Sequence, residues 1–63
     1  MQHVVENTNP NAIRILICED EIIIAEDVAA YVCSLGYQTA GIVHNGEDAV
    51  VAAEATKPDL ILM

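Results

Sequence analysis

The sequence predicts an α/β fold whose parallel sheet is built in the order β-α-β-α-β. Three observations predict it. Three short aliphatic runs, 13–18, 37–43 and 59–63, have the length and make-up of strands covered on both faces. Two longer segments, 21–35 and 46–56, separate them, and the first carries apolar residues at helical spacing. Glycine, proline and asparagine stand at the joins. Strand-like runs that alternate with helical segments over short links describe a parallel sheet.

The elements follow in order. Residues 1–11 (MQHVVENTNPN) are polar and turn-forming, which predicts a flexible leader with order starting near Ala12. The run IRILIC, at 13–18, is the first strand, and Glu19, Asp20 and Glu21 follow at once. Ile24, Val28, Tyr31, Val32 and Leu35 form the expected inward stripe of the first helix. Gly36 stands where a left-handed residue closes a helix. YQTAGIV, at 37–43, is a second strand weakened by Gly41. Asn45 is placed to cap the second helix, with Glu47 and Asp48 in its first turn suiting the helix dipole. Its expected inward face is Ala49, Val50 and Ala53, and Pro58 ends it by excluding helical geometry at Lys57. DLILM then starts a third buried strand.

Composition excludes several functions. With 63 residues, 54% of them hydrophobic, the chain is apolar enough to fold but small for an enzyme. A net charge of −8, with Arg14 and Lys57 the only basic residues besides histidines, argues against nucleic-acid contact. No apolar stretch approaches the roughly 20 residues that span a bilayer, and the polar start has no signal-peptide core. Two unpatterned cysteines, Cys18 and Cys33, read as inert small hydrophobes and not redox groups. The expected location is the cytoplasm.

Three parallel strands with two helices cover a sheet poorly, and an apolar strand at its edge is unprotected. The expectation is therefore the front half of a larger doubly wound domain. Self-association through the exposed third strand is expected of the segment alone.

The chemistry-bearing group is Glu19-Asp20, beside Glu21, at the carboxyl end of the first strand. Ligands of open α/β sheets bind there. Adjacent carboxylates repel unless a proton or hard cation lies between them, and Mg²⁺ takes one or two carboxylates while keeping several waters. The alternative is that these acids merely begin a helix, where negative charge is favoured.

ILICEDE, then LGY, NGEDAV and KPDLILM, each in register with the predicted elements, resemble the receiver domain of two-component response regulators, of the chemotaxis type. The likeness covers residues 13–63, the N-terminal half of such a domain. It implies the flavodoxin-like sheet of order 2-1-3-4-5. It implies that residues 12–63 are a partial receiver and that Glu19 and Asp20 are metal residues for Mg²⁺ (or Mn²⁺). Asp20 would be the direct ligand, with Glu19 acting more often through water. The phosphoacceptor aspartate is implied immediately after Met63, outside this sequence, so the segment itself holds no catalytic residue. Lys57 cannot replace the family's switching lysine, because it lies at the amino end of the third strand. The implied function is a phosphorelay receiver rather than an enzyme with its own substrate. It would take phosphate from a sensor histidine kinase or histidine phosphotransferase and switch an output domain or effector protein.

Other readings compete. A dinucleotide site or a P-loop needs glycines after the first strand, where this chain has C-E-D-E. A Mg²⁺-dependent phosphatase with an aspartate nucleophile wants D-x-D there, and E-D-E lacks its first aspartate. A receiver-like docking module without phosphorylation stays open. His44 reads as an exposed loop histidine. Ile23, near the polar side of the first helix, is expected to be partly buried against the loop after the third strand, with partner docking as the alternative.

Overall fold

The computed structural model describes residues 12–63, and the leader expected at 1–11 lies outside the described residues. The elements are β1 (Arg14–Cys18), α1 (Ile22–Ser34), β2 (Gln38–Val43), α2 (Gly46–Thr56) and β3 (Leu60–Leu62). The three strands pair in parallel in the order β2-β1-β3. This is the β-α-β-α-β arrangement of the front half of a flavodoxin-like sheet. The expected elements are all present, and α2 keeps its expected bounds while the others lose single residues at their ends.

The middle strand is the one whose sequence tolerates burial on both faces. Ile15, Leu16 and Ile17 are 3%, 0% and 1% exposed. Successive side chains of a strand point to opposite faces, so both faces of β1 are covered. Ile15 and Ile17 meet Val32 on the α1 side, with Val28, Ala29, Tyr37 and Leu62 packed around them. Leu16 faces the other way, toward the α2 layer, whose buried residue is Ala49.

The inward faces of both helices match expectation in part: Val28 and Val32 on α1 and Ala49 and Ala53 on α2 are buried or half-buried as expected. On α1 the buried residues are Ala25 and Val32, while Ile24, Tyr31 and Leu35 are exposed. The seam runs through Ala25, Val28, Ala29 and Val32, turned from the stripe of larger residues. On α2 Ala49 is buried and Ala53 half-buried, whereas Val50 is 62% exposed. The change on α1 has a physical cause. A helix packs onto a sheet through residues small enough to let the backbones approach, and alanine carries little weight in a hydrophobic stripe.

The joins behave as local chemistry dictates. Gly36 has φ 94°, its N–H donates to the Cys33 carbonyl at 3.0 Å, and the Tyr37 N–H donates to the Val32 carbonyl at 3.1 Å. That pair of bonds closes α1 in a Schellman motif, with Tyr37 and Val32 in the same apolar cluster. Within β2 the register skips Ala40, since Thr39 pairs with Ile15 but Gly41 pairs with Leu16. The extra residue is a bulge. Lys57 leaves α2 with φ 50°, so helical geometry does end before Pro58.

β3 is an edge strand of the described sheet. Leu60 and Ile61 are exposed, and Ile61 and Met63 line an apolar groove with Ala49, Val50 and Ala53 of α2. Among the described residues no helix is long and apolar enough to cross a membrane.

Candidate functional site

Parallel pairing brings the carboxyl ends of β1 and β2 to one edge of the sheet, where their following loops meet. Glu19 extends the ladder one step beyond β1, its N–H donating to the Val43 carbonyl at 2.9 Å. His44, the first residue after β2, turns its ring back toward β1. Its Nδ1 lies 2.8 Å from the Glu19 carbonyl oxygen. A carbonyl only accepts, so this bond requires the proton on Nδ1. Cys18 Sγ approaches the Asn45 carbonyl at 3.5 Å. Asn45 Oδ1 in turn accepts from the Asp48 N–H at 2.8 Å, and Asn45 Nδ2 donates to Asp48 Oδ2 at 3.0 Å, which caps α2 as its sequence predicts. The loop 43–45 therefore bonds to both Cys18 and Glu19.

The acids sit at this junction. Glu19 is half-buried and Asp20 and Glu21 are exposed. Glu19 Oε1 accepts from the Glu21 N–H at 3.2 Å, which draws the loop into a tight turn. α1 begins only at Ile22, with no acid in its first turn, and Glu21 at the N-cap makes no capping bond through its side chain. The acids thus precede the helix without capping it.

Glu19 and Asp20 offer hard oxygen donors of the kind a small, hydrated divalent cation takes. Among the described residues no three His, Cys, Asp or Glu side chains gather into a metal-holding group. Two carboxylates match the one or two that a cation keeping most of its waters takes; of the pair, the Asp20 side chain is the more exposed and the Glu19 carboxylate is held by the turn.

The remaining candidates fall elsewhere. Lys57 lies at the amino end of β3, at the opposite edge of the sheet from Glu19. Cys18 and Cys33 are free thiols, both half-buried. Ile23 is 75% exposed among residues 12–63, which do not include the loop after the third strand against which its burial is expected, and Ile22 beside it is 62% exposed. Both follow the acids at the start of α1. The contact that sequence reasoning missed is His44 to Glu19. A loop histidine before Asn-Gly signals nothing about where its ring turns, because that depends on which strand lies next to β2.

No family model and no solved structure match the chain. Over 50 residues, which is 79% of this chain, the sequence is 44% identical to transcriptional regulatory protein PdtaR of Mycobacterium tuberculosis, in strains CDC 1551 / Oshkosh and ATCC 25618 / H37Rv. The matched span is 24% of those proteins' length, so the chain spans about a quarter of the mycobacterial transcriptional regulators it is similar to.

Proposed function

We propose that this chain is part of a phosphoacceptor receiver in a two-component phosphorelay and that its share of the site is the metal-binding acidic loop. The observation that supports this reading most is the position of Glu19 and Asp20. They follow the buried central strand at the carboxyl edge of the sheet, ahead of the helix. Similarity to a protein named as a transcriptional regulator supports a regulatory role.

In this reading an aspartate directly after Met63 attacks the phosphorus of a phosphohistidine. The new P–O bond forms as the P–N bond breaks, and the imidazole nitrogen keeps the electron pair and takes a proton. Mg²⁺, when bound, screens the charge on the transferring oxygens. Asp20 would hold the ion directly, and the Glu19 carboxylate, tied to the Glu21 N–H, would orient its water. The partners are a sensor histidine kinase or histidine phosphotransferase and an output domain or effector. Cytoplasmic placement belongs to the same reading. The 63 residues alone carry no phosphoacceptor and transfer no phosphate.

A docking role without phosphorylation is the second reading, and the exposed Ile22 and Ile23 beside the acids offer a contact surface in either reading.

Mg²⁺ titration followed by backbone NMR tests the proposal. Asp20→Asn should abolish most of the metal response, and Asp27→Asn should leave it unchanged. Equal loss from both would reduce the acidic pair to a general charge effect. A chain continued beyond Met63 through the rest of its domain should accept phosphate from acetyl phosphate, whereas residues 1–63 should not. Label on Asp20 or Asp59 would place the nucleophile elsewhere.

A further inference from the structure

We propose that His44 is a positioning residue that sets the acidic loop for its cation by holding the Glu19 carbonyl through Nδ1–H. The inference rests on the metal reading above but assigns a role to a residue that reading does not use. His44 lies outside the acidic loop in sequence, and its ring reaches across from the neighbouring strand's end to bond at 2.8 Å. The Glu19 carbonyl is the peptide link to Asp20, so fixing it fixes the backbone from which the Asp20 carboxylate springs. Glu19 is then held on three sides. Its N–H is on the Val43 carbonyl at 2.9 Å, its carbonyl is on His44, and its carboxylate is on the Glu21 N–H at 3.2 Å. Asp20, exposed, has its backbone set while its side chain stays available to solvent.

The arrangement also selects a tautomer. A carbonyl partner requires hydrogen on Nδ1, so the neutral ring leaves Nε2 bare. Groups that orient a metal's ligands from behind typically matter about 10- to 100-fold in metal affinity, and a single neutral bond acting through the backbone falls at or below the lower end.

Three substitutions of the full chain test this. Asparagine carries its side-chain N–H near the place of Nδ1, whereas glutamine carries it farther out, near Nε2. His44→Asn should bind Mg²⁺ as the wild type does. His44→Ala and His44→Gln should bind it about five- to tenfold more weakly, with the thermal transition of His44→Gln close to that of His44→Asn. In the same samples the Glu19 carbonyl ¹³C shift should move in the alanine and glutamine variants and not in the asparagine variant. The ¹⁵N spectrum of the neutral ring should show the proton on Nδ1. Wild-type affinity in His44→Ala, equal weakening in all three, or a ring protonated at Nε2 would each overturn the proposal. If the wild type takes up no Mg²⁺ while the ¹⁵N and ¹³C signatures appear in the expected order, the metal reading fails. The proposed role toward a cation then falls with it, and the backbone contact alone remains.

Discussion

Arg14 and Asp59 bond to each other twice across the amino ends of β1 and β3. The Asp59 carboxylate accepts from the Arg14 N–H at 2.8 Å, and the Asp59 N–H donates to the Arg14 carbonyl at 2.8 Å. The Arg14 guanidinium also donates to the carbonyls of Thr56 and Lys57, where a cation suits the negative end of α2. One basic residue thereby joins the edge strand, the central strand and the end of a helix.

Removing the Asp59 side chain leaves the Arg14 N–H without its partner. Asp59→Ala should lower stability by about 1 kcal/mol, the net worth of one such bond. Asp59→Asn keeps an acceptor and should cost less. Arg14→Lys, which loses the planar fork, should also destabilise because an ammonium does not reproduce its bonding to two carbonyls. Urea unfolding midpoints read all three, and an unchanged midpoint in Asp59→Ala would show that water replaces the carboxylate at no cost.

Gly36 closes α1 at φ 94°, a conformation that side chains rarely adopt, although a Cβ there would meet no atom within 4 Å. The cost of Gly36→Ala is therefore one of backbone conformation alone, about 1 kcal/mol. Gly36→Asn, better suited to positive φ, should recover part of it. Thermal unfolding of the two variants distinguishes this from a packing effect, which would penalise the larger asparagine more.

The exposed edge of β3 should pair with a second copy of the chain. Leu60, Ile61 and Met63 are 50%, 39% and 86% exposed, and among the described residues the strand has no neighbour on its outer side. The net charge of −8 opposes association, but salt screens it within about 8 Å at physiological ionic strength, whereas burial of apolar surface is not screened. Sedimentation should show mass rising with concentration and with salt, and Ile61→Lys should reduce it. A monomer unchanged over a hundredfold dilution range in high salt would sink this expectation.

The sequence by itself determined the kind, number and order of the elements. IRILIC could bury both faces, Gly36 and Pro58 could only end helices, and Asn45 with Asp48 specified a cap; each rests on residues a few positions apart. It also determined that three acids follow the first strand, because adjacency needs no fold. Tertiary structure alone decided which helix faces turn inward. Ala25 and Ala29 lie in the α1 seam while Tyr31 and Leu35 face out, because a helix settles where its backbone can approach the sheet closely. It also decided that His44 meets Glu19 and that Arg14 meets Asp59, residues separated by 25 and 45 positions. Those meetings follow from parallel pairing in the order β2-β1-β3, which puts like ends of the strands side by side. Local propensity carries no information about which strand becomes whose neighbour.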